Sequence, residues 1–201
     1  DDTLEEKRKR IEQFLWHLGM IQSLPEIHMR YIQDENWMEK WKEHYHPILV
    51  GDTLLILPPW LKNTHPQRIP ICIDPNMAFG TGTHPTTQLS LKLLEYFMQP
   101  DADVIDIGCG SGILSIAARL LGARHALAVD IDPLAVQATL ENATLNGITN
   151  GIECGLGSVR EVIQAQFSIQ KAPLVLANIL APVIITLINE GLVNLVAPGG
   201  M

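Results

Sequence analysis

The segment 104–118 places an apolar strand, a turn with three glycines and a helix of small residues in direct succession, as VIDIGCGSGILSIAA. A short apolar run before such a turn indicates a strand buried on both faces, which is typical of parallel sheets. Glycines at 108, 110 and 112 allow the backbone to turn tightly and to approach a ligand closely. The segment therefore predicts an α/β sheet that binds its ligand at the carboxyl ends of its strands, although packing alone could also require these small residues.

Strand-like and helix-like patterns alternate from Ile69 onward, as in a doubly wound parallel sheet with helices on both faces. The predicted elements are a strand at ICI, a helix over 86–98, a strand over 104–107, a helix over 112–121, a strand over 126–129, a helix over 133–146, strands over 151–154 and 174–177, and a helix beginning near Ala181. We therefore predict a doubly wound α/β fold.

The beginning of the chain has a different pattern. A capping box precedes a helical apolar stripe that ends at Gly19, and alternating apolar residues predict a strand over 27–31. An aromatic-rich helix is predicted after Asp34, and a hairpin is predicted to turn at Gly51. The predicted domains are 1–33, part of a small N-terminal α+β domain; 34–68, a linker helix and hairpin; and 69–201, the ligand-binding domain.

Charge and cysteine usage restrict the partners. The formal net charge of −8 argues against a protein that coats nucleic-acid phosphates and suits a basic protein partner. Cys72, Cys109 and Cys154 stand apart in the sequence without a CxxC pair, so neither a zinc site nor a disulfide framework is predicted. This cysteine usage favours a reducing, cytoplasmic setting. His44 and His46 are spaced as strand neighbours but lack a third ligand nearby, so we predict no metal.

The run from Ala172 to Asn189 contains no charged residue and is long enough to suggest a membrane helix. Pro173 and Pro182 would interrupt such a helix, and Asn178 would place an amide in its middle. A buried strand, LVLAN, followed by a helix with Pro182 in its first turn accommodates every residue. No membrane segment is therefore predicted.

The residues around the glycine turn indicate the kind of ligand. Asp130 ends the following strand, where a carboxylate can accept hydrogen bonds from ribose hydroxyls. The third glycine comes one residue earlier than in dinucleotide-binding turns, and Asp106 stands just before the turn without Lys or Arg between 93 and 118. A carboxylate at this place suits a cation better than a pyrophosphate. The pattern favours S-adenosylmethionine, whose sulfonium and ammonium groups are positive.

A second polar, glycine-rich segment, AFGTGTHPTT over 78–87, is predicted to be a loop. Loops of this composition in a compact domain are often functional, but a surface turn that caps the next helix would also explain the segment. His84 is the one histidine that this loop would bring near a site, and no partner in the sequence supports its acting as a base.

These motifs carry a family resemblance. DIGCGSG, DIDP, ENATLNG and ANIL resemble the class I S-adenosylmethionine-dependent methyltransferases. With MAFGTGTHPTT and ENWMEKWKEHYHP, the chain is similar to the ribosomal protein L11 methyltransferase family. The resemblance implies a Rossmann-like methyltransferase sheet and methyl transfer to lysine and N-terminal amines of a large-subunit ribosomal protein. In that family an N-terminal domain recognises the substrate.

The resemblance also implies which residues contact the cofactor. These contacts would come from Thr87, Gly108, Asp130 and Asn178, with Gly110, Thr81 and Phe79 in the same site and the Phe79 ring closing over it. ANIL lacks the aromatic ring that follows the Asn or Asp in base-modifying amino methyltransferases. We therefore expect no direct nucleic-acid binding.

Asn178 is the candidate catalytic residue. Its side-chain oxygen can orient an amine without stabilising the ammonium form as strongly as a carboxylate would. The alternative is a structural role, in which the amide caps the helix that starts after it.

The resemblance implies a further strand beginning near APGGM, so we expect the sheet to be incomplete at its C-terminus, with an apolar edge at LVLAN. The alternative functions are a non-enzymatic adenosyl-binding scaffold and a methyltransferase that acts on another amine. Nothing in the sequence indicates an oligomeric state.

Overall fold

The computed structural model describes residues 2–19, 45–75 and 80–201, and the chain divides into two compact units, Asp1–His44 and Tyr45–Met201. In the first unit, helix α1 spans Asp2–Gly19 and confirms the helix predicted to end at Gly19. The strand predicted over 27–31 and the helix predicted after Asp34 lie outside the described residues.

The second unit begins with a three-stranded sheet of β1 (Ile48–Val50), β2 (Leu54–Leu57) and β3 (Ile69–Cys72). β1 and β2 are antiparallel, as predicted for a hairpin, and β2 pairs in parallel with β3. Residues 45–68, predicted as part of a linker, thus share a compact unit with the ligand-binding domain. The domain limits given above stay a prediction.

A four-stranded parallel sheet forms the centre of this unit, with strand order β6–β5–β4–β7. Its elements, in chain order, are α2 (Pro85–Phe97), β4 (Asp103–Ile107), α3 (Ile113–Leu120), β5 (His125–Asp130), α4 (Pro133–Leu145), β6 (Ile152–Leu156), α5 (Val159–Ile163), β7 (Leu174–Leu176), α6 (Ala181–Glu190) and a 3-10 helix (Leu192–Leu195). Since successive strands run in parallel, their carboxyl ends meet at one edge.

Successive residues of β4 pack on opposite faces of the sheet. Val104 belongs to an apolar cluster with residues of α2 and α3, whereas Ile105 and Ile107 belong to a second cluster with residues of α5, α6 and the 3-10 helix. Helices therefore cover both faces, as the predicted doubly wound α/β fold requires.

The strand edge at LVLAN is partly paired rather than fully open. The amide of Val175 donates to the carbonyl of Met201 and the amide of Met201 donates to the carbonyl of Pro173, each at 2.9 Å. Ala172 and Val196 form a further parallel bridge. The backbone of 196–201 thus satisfies hydrogen-bonding groups that the sequence analysis expected to be exposed.

The uncharged run after Lys171 forms β7 and α6, and α6 begins at Ala181 with Pro182 in its first turn, as predicted. Among the described residues there is no helix with both the length and the apolar character needed to cross a bilayer.

Candidate active site

The glycine turn links β4 to α3. Gly108, Gly110 and Gly112 have φ of +76°, +55° and +77°, a left-handed conformation that favours glycine. The amides of Gly108 and Cys109 both donate to the carbonyl of Val129, at 2.8 and 3.1 Å, which fixes the turn to the end of β5.

Gly108 also makes a close contact with the segment after β7. A Cβ on Gly108 would lie 2.6 Å from Cγ2 of Ile179, closer than real carbon atoms approach each other. The absence of a side chain at 108 therefore lets the ANIL segment, and with it Asn178, lie directly beside the glycine turn.

Asp130 lies at the carboxyl end of β5 and contacts this turn. Its Oδ2 accepts a hydrogen bond from the amide of Gly110 at 2.9 Å, and its Oδ1 accepts one from the amide of Asp132 at 3.0 Å. Each carboxylate oxygen retains a further lone pair. The side chain thus links the glycine turn to the start of α4 while keeping acceptor capacity for a ligand.

Asp106, two residues before the turn, is a buried carboxylate with only 1% of its surface exposed. Oδ2 accepts a hydrogen bond from the Ser115 hydroxyl at 2.7 Å, and Oδ1 has no hydrogen-bond partner among the described residues. Desolvation raises the pKa of Asp106 to about 6, with a smaller contribution from the charge of Asp130. A negative charge here is therefore unfavourable unless a cation accompanies it.

The polar loop, in its described part from residue 80 onward, contacts the glycine turn. The Ser111 hydroxyl donates to the carbonyl of Gly80 at 2.7 Å, and the hydroxyls of Thr81 and Thr83 are 3.0 Å apart. The Tyr45 hydroxyl donates to the carbonyl of Thr81 at 3.4 Å. Phe79 lies outside the described residues, so its predicted closing role stays a prediction.

His84 caps helix α2. Its Nδ1 accepts a hydrogen bond from the amide of Thr86 at 3.2 Å and lies 2.7 Å from the Thr86 hydroxyl. One interpretation of this loop was a surface turn that caps the following helix. The contacts of His84 agree with that interpretation.

Asn178 contacts the start of the same helix. Its Nδ2 donates to Oγ1 of Thr87 at 3.1 Å, and Thr87 is 3% exposed. Helix α6 has Leu180 as its N-cap, and no side-chain hydrogen bond caps it in the part of the chain that the structure describes. The Asn178 amide therefore does not make the capping contact that was the alternative to an orienting role.

The structure brings six of the seven predicted site residues to the carboxyl edge of the parallel sheet, and the seventh, Phe79, is not described. Gly108, Gly110 and Asp130 are linked through the turn, and Thr87 pairs directly with Asn178. Thr81 is one residue from the Gly80 carbonyl that Ser111 holds. Their roles toward a ligand stay predictions.

Polar side chains on the buried face of α4 and at its C-terminus also contact the site, and no role was predicted for them. Thr139 donates to the Gly110 carbonyl at 3.1 Å, and Asn142 donates to the Ser111 carbonyl at 2.9 Å. Asn146 pairs with the backbone of Cys72. Thr139, Asn142 and Asn146 recur at helical spacing within ATLENATLNG, which is the signal that would have placed them on one face.

Two cysteines that are distant in sequence are neighbours in the fold. Cys109, in the glycine turn, and Cys154, on β6, are free thiols within hydrogen-bonding reach of each other. The pKa of Cys109 is raised by its hydrogen bond to Cys154 and by burial, and the same hydrogen bond lowers the pKa of Cys154. Among the described residues, no group of three or more His, Cys, Asp or Glu side chains could hold a metal.

Comparison with known proteins identifies the relatives of this chain. The family described as Ribosomal protein L11 methyltransferase (PrmA) matches residues 2–201. A Ribosomal protein L11 methyltransferase from Synechococcus sp. is 47% identical over 82% of this chain and 55% of its own length. One from Citrifermentans bemidjiense is 42% identical over 100% of this chain and 66% of its own length.

Among solved structures, a ribosomal protein L11 methylase from Lactobacillus delbrueckii subsp. bulgaricus is similar, with a TM-score of 0.67 and 37% sequence identity. The match covers 78% of this chain and 77% of that chain. The chain spans about half to two thirds of the length of the curated relatives it matches. A family match over nearly every residue and these levels of identity together show that the chain belongs to the ribosomal protein L11 methyltransferase family.

Proposed function

We propose that the protein transfers methyl groups from S-adenosylmethionine to amines of ribosomal protein L11, on lysine side chains and at the N-terminus. The observation that carries this proposal is the contact between Gly108 and Ile179, because it places Asn178 beside the turn that would hold the cofactor. A reacting amine and a methyl donor must be adjacent for an in-line displacement.

The donor set around the turn fits S-adenosylmethionine. Asp130 retains acceptor capacity on both carboxylate oxygens, which suits the two hydroxyls of a ribose. The buried Asp106 carboxylate just before the turn complements a cationic ligand better than an anionic one. When bound, S-adenosylmethionine supplies an activated methyl group on a sulfonium. Thr81, Thr87, Gly108 and Gly110 would complete its site, with Phe79 as a further contact.

Asn178 would orient the incoming amine. Because its Nδ2 donates to Thr87 Oγ1, its Oδ1 points away from Thr87 and is available as a neutral acceptor. An amine must lose its proton before it can attack, and lysine in water has a pKa near ~10.4. A neutral acceptor in a desolvated site holds the free amine without the strong stabilisation of ammonium that a carboxylate would give.

The family and the net charge support the choice of substrate. The relatives named above are ribosomal protein L11 methyltransferases, and the net charge of −8 suits a basic ribosomal protein. We further propose that the protein acts in the cytoplasm, that residues of the N-terminal unit recognise the substrate, and that no direct nucleic-acid contact is required.

The test is methyl transfer by the full-length protein. Purified ribosomal protein L11 should accept radiolabelled methyl groups from S-adenosylmethionine, and prior acetylation of its amines should abolish the incorporation. Calorimetry on the same preparation should show binding of S-adenosylmethionine.

Three other results would contradict parts of the proposal. Cofactor binding without transfer to any protein would indicate an adenosyl-binding scaffold. Transfer to another ribosomal protein but not to L11 would indicate a different amine substrate. Absence of cofactor binding would exclude the methyltransferase activity itself.

A further inference from the structure

Three hydrogen bonds form a continuous chain from Asp74, just after β3, through the glycine turn, to Gly80 in the polar loop. The amide of Asp74 donates to Oδ1 of Asn142 at 3.0 Å, and Nδ2 of Asn142 donates to the carbonyl of Ser111 at 2.9 Å. The Ser111 hydroxyl then donates to the carbonyl of Gly80 at 2.7 Å. Gly80 is thus bonded directly to Ser111 of the glycine turn, and Asp74 is linked to the same residue through Asn142.

The two side chains that make this chain are completely buried. Asn142 and Ser111 each have 0% of their surface exposed. A buried amide or hydroxyl that loses its partner pays the full desolvation penalty, since water cannot replace the bond. These bonds are therefore expected to hold the backbone of Asp74 and Gly80 at fixed positions relative to the turn.

Two neighbouring features fit the same purpose. Asn146, one helical turn after Asn142, accepts from the amide of Cys72 at 2.8 Å and donates to its carbonyl at 2.7 Å, so α4 also fixes the last residue of β3. Gly80 has φ of +103°, and a Cβ there would lie 3.1 Å from the Ser111 hydroxyl oxygen. The contact between loop and turn is therefore close as well as hydrogen bonded.

We propose that Ser111 and Asn142 are positioning residues, which hold the backbone of Asp74 and Gly80 against the glycine turn and thereby set the affinity for the cofactor. The proposal rests on the proposed function, because it takes S-adenosylmethionine as the ligand. Neither side chain needs to touch the cofactor. Asn142 acts through the Ser111 carbonyl and the Asp74 amide, and Ser111 acts through the Gly80 carbonyl.

The experiment compares Ser111→Ala, Asn142→Ala and the double variant in the full-length protein. Ser111→Ala removes one neutral hydrogen bond, so the affinity of this variant for S-adenosylmethionine should be about three- to tenfold lower than that of wild type. Asn142→Ala removes two bonds and should weaken it more. If the bonds form one chain, the double variant should bind no more than about twofold more weakly than Asn142→Ala alone, which is strong non-additivity.

Kinetics separate positioning from a general loss of stability. The KM for S-adenosylmethionine should rise in each variant while kcat at saturating cofactor stays near that of wild type. Thr144→Ala is the matched control, because the Thr144 hydroxyl lies on the exposed face of α4 and donates only within its own helix, to the Leu140 carbonyl. Equal affinity in Ser111→Ala and Thr144→Ala would overturn the proposal.

Hydrogen exchange keeps the test independent of the proposed function. The amide of Asp74 should exchange faster in Asn142→Ala than in Thr144→Ala, with no cofactor present. If wild type does not bind S-adenosylmethionine, the proposed function is wrong. If the exchange rate of the Asp74 amide is unchanged in Asn142→Ala, the hydrogen bond from Asp74 to Asn142 does not restrain this segment, whatever the function. Should Asn142→Ala not fold, Ser111→Ala decides the outcome alone, since alanine fits the space of serine.

Discussion

The carboxylate of Asp130 holds the amide of Gly110 at 2.9 Å, so the residue predicted to bind the ribose also supports the turn that would bind the rest of the cofactor. Its second oxygen accepts from the amide of Asp132, at the N-terminus of α4. The predicted ligand contact and the local structure therefore involve the same side chain. We expect a substitution at 130 to act on both.

Asp130→Ala should weaken S-adenosylmethionine binding on the order of 100-fold, because hydrogen bonds to a charged group are worth roughly 1.5 to 3 kcal/mol each. It should also lower the melting temperature, since two backbone amides lose their acceptor. Asp130→Asn keeps one acceptor oxygen, so its cofactor affinity and its melting temperature should both fall less than those of Asp130→Ala. Calorimetric titration and thermal melting of the two variants measure this, and unchanged affinity in the Ala variant would exclude the ribose contact.

Asn178→Ala should lower the turnover of the full-length protein more than its cofactor affinity. The proposed contact between the Asn178 side chain and the incoming amine contributes most in the transition state of methyl transfer. Asn178→Asp should lower the rate and shift the pH profile upward, since a carboxylate stabilises the ammonium form of the substrate. Initial rates from about pH 6 to pH 10 are the measurement. A wild-type rate and profile in the Asp variant would rule out the orienting role.

Asp106 should make stability depend on pH. Its pKa is about 6 in the folded protein and ~3.9 in an unfolded chain, so its stabilising proton is fully bound at low pH and is lost as the pH rises through 6. Asp106→Asn does not titrate. The unfolding free energy of this variant minus that of wild type should therefore grow by about 2 to 3 kcal/mol between about pH 4 and about pH 8.

Denaturant titrations of wild type and Asp106→Asn at the two pH values measure this difference. Ser115→Ala serves as the control, because removing the hydroxyl that donates to Asp106 should raise the pKa of this carboxyl further. A pH-independent difference between Asn variant and wild type would show that the folded and unfolded pKa values are alike.

Cys154 should be the most reactive of the three thiols. Its pKa is lowered by the hydrogen bond from Cys109, whereas burial and the charge of Asp74 raise the pKa of Cys72. Alkylation with iodoacetamide at about pH 8, followed by peptide mass spectrometry, gives the three rates. Cys109→Ala removes the donor and should slow the reaction at Cys154. A rate at Cys72 equal to that at Cys154 would contradict this assignment.

Local signals predicted most of the parallel sheet. Helix α4 begins at Pro133 after the capping Asp132, and the sequence prediction differs from the observed helix only at its last residue. The five-residue helix α5 was not predicted, although Ser158 and Glu161 form a capping box at its N-terminus. The 3-10 helix over Leu192–Leu195 was also not predicted, because four residues are too few to show a period.

The proximity of the candidate site residues was predictable where the order of the strands brings them together. Gly110 lies in the turn that follows β4, and Asp130 ends β5, the parallel neighbour of β4, so their proximity follows from topology. The burial of Asn142 does not follow from its residue type, because asparagine on a helix is usually exposed. The contact between Cys109 and Cys154 depends on the pairing of β5 with β6, which the spacing of the cysteines does not reveal.

The contact between Gly108 and Ile179 makes the glycine turn and the ANIL segment a matched pair for protein engineering. With only hydrogen at 108, the Ile179 methyl occupies the space that any side chain on the turn would need. In a chimera that takes only one of these two segments from a different methyltransferase, the transferred segment would not match the shape of the other segment. The two segments should therefore be exchanged together, as one unit of the scaffold.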